Sequence, residues 1–222
     1  MELHELIVIC KANGLFSPTE GAEKLAFYAK LLRGWNAKIN LISRKDEEHV
    51  LDRHILHSLT LRVPSVCDFD FTNKRVADLG TGGGLPGIPL KIVTPSIDMT
   101  LIDSIQKKIT ACGEMITELD LIGIHAARGR AEELASEREF AHTYDAVVSR
   151  AVAPLDELAK WSRGLLKPGG ILLALKGGEV REEILQTWRL SFVQKIKEQP
   201  LRLFEYDEFE REGKKLITVT FV

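Results

Sequence analysis

A chain of 222 residues has room for one large domain, or a domain with an appendage, around a sizeable core. Its hydrophobic share of 45% and charged share of 28% are those of an ordinary globular protein. A net charge of −2 argues against a binder that grips nucleic acid with its whole surface and leaves room for a local basic patch. Cys10, Cys67 and Cys112 are scattered and form no C-x-x-C, which fits a reducing compartment and buried thiols rather than a disulfide or zinc framework. Met1-Glu2-Leu3-His4-Glu5 has neither the basic start nor the apolar run of a signal peptide, and no stretch approaches the ~20 apolar residues that span a bilayer. A cytoplasmic protein is expected.

Residues 1–73 read as a helical segment preceding a second unit, 74–222. Leu25, Tyr28, Leu31, Leu32 and Trp35 recur at the three- and four-residue spacing of one helix face, and Ser17-Pro18-Thr19-Glu20 offers a cap and a first-turn proline. A second helix is predicted over 46–61, capped by Asp46, with Val50, His54, His57 and Leu61 on one stripe. From Lys74 onward short apolar runs at 75–79, 99–103, 124–128, 144–149 and 170–175 alternate with helical stretches at 86–93, 106–119, 131–139 and 154–166. That alternation predicts an α/β fold with a mostly parallel sheet. The last strand is expected over 216–221, paired with 201–209 across a turn at Gly213.

The most informative stretch is Val76-Ala77-Asp78-Leu79-Gly80-Thr81-Gly82-Gly83-Gly84-Leu85-Pro86-Gly87, which follows a strand and opens a helix. Glycine lets a ligand approach the backbone closely, and such a loop lies at a strand's carboxyl end, where open α/β sheets bind. Gly82-x-Gly84-x-x-Gly87 matches the dinucleotide fingerprint, weakly on its own. Asp78-x-Gly80-x-Gly82-x-Gly84 matches the loop of S-adenosylmethionine enzymes. A carboxylate is unwelcome beside a pyrophosphate and tolerable beside a sulfonium, so Asp78 favours the methyl donor. Asp103, ending the second strand, can accept both hydroxyl hydrogens of a ribose and suits either cofactor. Leu165-Leu166-Lys167-Pro168-Gly169-Gly170 is a helix exit into a buried strand.

These residues together resemble the glucose-inhibited division protein B family of small-subunit ribosomal RNA methyltransferases over nearly the whole chain. The resemblance is carried by the glycine loop with Leu85-Pro86-Gly87-Ile88-Pro89-Leu90, by Trp35-Asn36-x-x-Ile39-Asn40-Leu41 with Arg44, and by Arg53-His54-Ile55-Leu56-His57-Ser58-Leu59. Gly129-Arg130-Ala131-Glu132-Glu133, Tyr144-Asp145-Ala146-Val147-Val148-Ser149-Arg150-Ala151 and Lys176-Gly177-Gly178 complete it. His57 stands where the family usually carries an aspartate. The resemblance implies a Rossmann-like class I S-adenosylmethionine-dependent methyltransferase with a seven-stranded, mostly parallel sheet and an antiparallel C-terminal strand.

It further implies S-adenosylmethionine contacts at Gly80, Leu85, Asp103, Ser104, Ile105, Ala131, Glu132 and Arg150. The implied reaction methylates N7 of a guanine in 16S RNA, guanine 527, in or near the 30S subunit. Guanine N7 bears a lone pair and no proton, so no catalytic acid or base is expected, and Arg150 is a candidate for orienting substrate.

Arg44, Lys45, Arg53 and His54 are the leading RNA-binding candidates, with Lys38, Arg150, Lys214 and Lys215 behind them. Trp35 fits a core role on its helix better than a base-stacking one. His54 and His57 have no third ligand nearby, so no metal is expected, and a monomer is expected. Two other functions stay open on the residues alone: a small-molecule methyltransferase, and a nicotinamide-dependent oxidoreductase using Gly82, Gly84 and Gly87.

Overall fold

The computed structural model describes residues 1–15 and 20–222. The cap read into Ser17-Pro18-Thr19 lies outside them. Helices α1 (Leu3–Ala12) and α2 (Glu20–Asn36) are followed by four short helical turns of different pitch. These are a 3₁₀ turn (Arg44–His49), a π turn (Val50–Leu56), the single α turn α3 (His57–Leu59) and a second 3₁₀ turn (Thr60–Arg62). Then come β1 (Arg75–Leu79), α4 (Gly87–Val93), β2 (Asp98–Asp103), α5 (Gln106–Glu118), β3 (Ile124–Arg128), α6 (Ala131–Leu134) and β4 (Tyr144–Arg150). The chain continues with α7 (Leu155–Arg163), β5 (Leu166–Lys176), α8 (Arg181–Trp188), β6 (Val193–Pro200), α9 (Glu208–Arg211) and β7 (Lys215–Phe221).

The seven strands form one sheet in the order β3-β2-β1-β4-β5-β7-β6. Only β7 runs against its neighbours, pairing its Thr218 with Leu173 of β5 and its Val219 with Ile196 of β6. The central strands are covered on both faces and read as largely apolar runs: Val76, Ala77 and Leu79 in β1 are buried, and the one carboxyl among them, Asp78, is buried too. Strand order reverses between β1 and β4, which places the crevice for a ligand outside their carboxyl ends.

One face of the sheet carries Val76, Leu101 and Val148 into a core shared with Leu6, Leu25, Tyr28 and Leu32 of the N-terminal helices. Each such buried aliphatic or aromatic side chain contributes roughly 1.5–3 kcal/mol. The other face packs Ala77, Val147 and Leu172 against Leu155 and Leu158 of α7.

Three expectations are corrected. The partner of β7 is β6, not 201–209, which holds an isolated bridge between Leu203 and Tyr206 and leads into α9. Strand β6 lies at the sheet edge, and its sequence Val-Gln-Lys-Ile-Lys-Glu-Gln-Pro is largely exposed, so it lacks an apolar signal. The helix predicted over 46–61 is broken. Ser43 rather than Asp46 caps it, accepting from Lys45 N at 3.3 Å, while Asp46 takes Arg53 at 2.9 Å. In the π turn every residue but Arg53 is buried, wider than any single stripe. The helix predicted over 131–139 ends at Leu134.

Candidate active site

The loop after β1 is shaped from within. Gly80, Gly82 and Gly84 adopt φ of +72°, +57° and +92°, the left-handed region that a side chain resists. A Cβ on Gly80 would stand 2.5 Å from Val152 Cγ2, so the loop after β4 lies directly against it. Asp78 Oδ2 accepts Thr81 Oγ1 at 2.6 Å and Gly87 N at 2.8 Å, tying both ends of the loop together. Burial raises its pKa to about 7. Asp78 is fully buried and lines neither of the cavities at this end of the sheet. Its carboxyl thus acts on loop shape, which corrects the expectation of a charge facing the ligand. The N-terminal segment reaches the same loop: Tyr28 Oη donates to Gly83 O at 2.8 Å.

Two cavities open here. The smaller, about 330 Å³, is lined by Gly80, Asp103, Ser104, Ile105, Ala131 and Glu132, together with Lys108, Val152 and Trp161, which sequence reading missed. Asp103 is held ready at the end of β2, its Oδ1 accepting Ile105 N at 2.9 Å and its Oδ2 Gly82 N at 3.1 Å. Each oxygen keeps a second acceptor site for a hydroxyl. Ile105 and Val152 leave 47% and 38% of their surface open at this wall, apolar area that the flat face of a nucleobase can cover. The residues therefore fit an adenosine.

The larger cavity, about 570 Å³, is lined by Leu85, Arg53, His54, His57 and Arg150, and it meets the smaller one at Gly80, Lys108 and Ala151. Leu85 and Arg150 thus stand on the side of the larger cavity and do not line the smaller one. Arg150 Nη1 donates to His54 Nδ1 at 2.9 Å and approaches Arg53 O at 3.4 Å. Burial, with Arg150 second, lowers the His54 pKa to about 3, and burial pushes His57 well down. His57 packs its ring on Phe209, centroids 5.2 Å apart.

Arg44 and Lys45 line neither cavity and stand exposed beside Ser43 and Asp46 at the rim of the larger one. Trp35 packs on the core, with Lys38 4.7 Å over its ring. Lys176 and Glu183 also line the larger cavity. Among the described residues, no cluster of three or more His, Cys, Asp or Glu is placed to hold a metal, and no helix is long and apolar enough to cross a membrane.

Residues 21–211 match the model of the GidB family, described as rRNA small subunit methyltransferase G. The chain belongs to this family. A ribosomal RNA small subunit methyltransferase G of Chlorobium luteolum is 46% identical over 182 residues, 82% of this chain and 73% of the relative. One from Chlorobaculum tepidum is 44% identical over 185 residues, 83% of this chain and 82% of the relative. The chain is thus a methyltransferase of small-subunit ribosomal RNA.

Solved structures agree on the fold. The fibrillarin pre-rRNA processing protein of Methanococcus jannaschii superposes with a TM-score of 0.57 at 12% identity, covering 73% of each chain. TrmN from Thermus thermophilus gives 0.56 at 17%, covering 86% of this chain and 52% of that one. An antiparallel strand inserted before the edge distinguishes this sheet from the dinucleotide-binding order. It is the class I S-adenosylmethionine-dependent methyltransferase fold, and the residues of the smaller cavity fit that cofactor's adenosine.

Proposed function

We propose that this chain transfers a methyl group to N7 of a guanine in 16S ribosomal RNA, guanine 527, acting as a cytoplasmic monomer on the 30S subunit or its precursor. The observation that carries the reading is the junction of two cavities at Gly80 and Ala151, one fitted to an adenosine and one lined by arginine. In this reading Gly80, Asp103, Ser104, Ile105, Ala131 and Glu132 hold the nucleoside, and Leu85 and Arg150 border the transfer point. Residues 1–73 form the substrate side, with Arg44, Lys45 and Arg53 toward phosphates.

S-adenosylmethionine, when bound, supplies an electrophilic methyl on a positively charged sulfur. The protein's task is then alignment and exclusion of water, since guanine N7 has no proton to lose. The cavity's own groups agree: His54, with its pKa near 3, is too weak a base to take a proton at neutral pH. Arg150 can only donate. We therefore expect kcat to change little across neutral pH. A unit-slope rise through neutrality that persists in Asp78→Asn, where the loop carboxyl no longer titrates, overturns the base-free mechanism.

Labelled methyl donor incubated with 30S particles, naked 16S RNA and no RNA tests the substrate. Incorporation that needs RNA and yields 7-methylguanosine at one site is expected. Label without RNA, or on another atom, overturns the reading. Calorimetry with S-adenosylhomocysteine and with NAD gives binding of the first alone.

A further inference from the structure

Arg150 lies at the carboxyl end of β4, where a long side chain has many rotamers, yet its guanidinium is fixed by two acceptors from the π turn. His54 Nδ1 takes Nη1 at 2.9 Å, and Arg53 O stands 3.4 Å from the same nitrogen. A guanidinium has no acceptor, so a ring nitrogen bonded to it must carry the lone pair, which puts the proton on Nε2. That Nε2 is buried without a hydrogen-bond partner, 3.8 Å from Asp46 Oδ2. Asp46 in turn holds Arg53 at 2.9 Å. His54 keeps only 7% of its surface, so it has no face to offer a phosphate.

We infer that His54 is a positioning residue for Arg150 and not an RNA contact: its Nδ1 sets where the remaining guanidinium N–H groups point in the larger cavity. The inference rests on the proposed reading of that cavity as the substrate side. It also gives the broken helix a purpose, because the π turn buries His54 and Ile55 side by side and so brings an imidazole inward to β4.

The test uses the full chain with 30S particles and S-adenosylmethionine, and compares His54→Leu, His54→Asn and Arg150→Met. His54→Leu should lower kcat about tenfold or more, as small misplacements at a reacting centre do. The KM for 30S and the slope of RNA affinity against salt should stay unchanged. His54→Asn, whose Oδ1 stands near the Nδ1 position, should recover most of kcat. Adding Arg150→Met to His54→Leu should cost little more, the mark of two residues acting as one unit.

A raised KM with kcat intact and a shallower salt slope makes His54 an RNA contact and overturns the inference, as does an Asn variant no better than Leu. A crippled Arg150→Met beside an unaffected His54→Leu overturns this inference alone, whereas Arg150→Met with full kcat overturns the reading of the cavity as well. Melting temperature and S-adenosylhomocysteine affinity separate misfolding from misplacement. Should His54→Leu not fold, His54→Gln, with an amide near Nε2 and no acceptor at Nδ1, carries the same comparison.

Discussion

Asp78 sits in an environment that disfavours its charge. It is fully buried, two donors converge on Oδ2, and Oδ1 has no partner. Burial is the larger influence and the hydrogen bonds oppose it, with the balance raising the pKa from 3.8 to about 7. The folded state therefore binds this proton more readily than the unfolded chain does. Between about pH 4 and pH 7 this group's contribution to stability must fall as pH rises, because ionising the buried carboxyl costs free energy that the unfolded state does not incur. Asp78→Asn removes this titration while retaining an acceptor for Thr81 and Gly87. The melting temperature of the variant minus that of the wild type should shift in favour of Asn as pH is raised through that window. A difference independent of pH would show that the carboxyl ionises at its ordinary value.

At the scale of elements, the loop between β4 and α7 supplies Ala151 to both cavities, and it is held from a distance. Ala151 adopts φ of +55° without being glycine, so surrounding contacts must hold it there. Lys176, at the end of β5, donates to Ala153 O at 2.6 Å and to Glu183 at 2.7 Å, and Glu183 accepts Leu155 N at 2.8 Å. Lys176→Met should cost about 1–3 kcal/mol, the range for an unsatisfied partner left half-buried. It should also weaken S-adenosylhomocysteine binding, because Val152 of this loop covers Gly80. Amide hydrogen exchange at residues 151–155 should accelerate relative to β4. Unchanged exchange would place the restraint elsewhere.

None of these ties was legible in the sequence. Glycines and strand ends were, because φ and close approach depend on local identity: Gly80 and Asp103 stand where they were expected. The buried strands were legible for a related reason, since two covered faces leave a largely apolar run. Edge strand β6 carries no such signal, and α8 was missed altogether. Tyr28 lies 55 residues from the carbonyl it bonds, and Lys176 lies 23 from its own. Such contacts are made by the sheet's topology, which no local pattern records.

For the whole molecule, the charge balance decides how the RNA is held. Thirty basic side chains stand against thirty-two acidic ones, and several cations near the larger cavity are already engaged. Arg53 pairs with Asp46 at 2.9 Å, Lys176 with Glu183 at 2.7 Å and Lys214 with Glu212 at 3.5 Å. The engaged cations cannot all release counterions from phosphates at full value, because an incoming phosphate would compete with a carboxylate. Exposed Arg44 and Lys45 at the rim remain the best placed. With about two to four phosphates neutralised, the logarithm of RNA affinity should fall with the logarithm of salt at a slope between roughly −1.5 and −3.5. Arg44→Gln with Lys45→Gln should make that slope shallower by about 1.5 and leave S-adenosylhomocysteine affinity unchanged. Filter binding of 30S particles over a salt series measures both. A wild-type slope steeper than about −5 would mean that many more cations grip the backbone than this surface offers, and that the RNA wraps a face away from the cavity. A shallow slope instead requires that selectivity come from the shape of the folded RNA and the fit of one base in the cavity, with charge serving mainly to hold the approach.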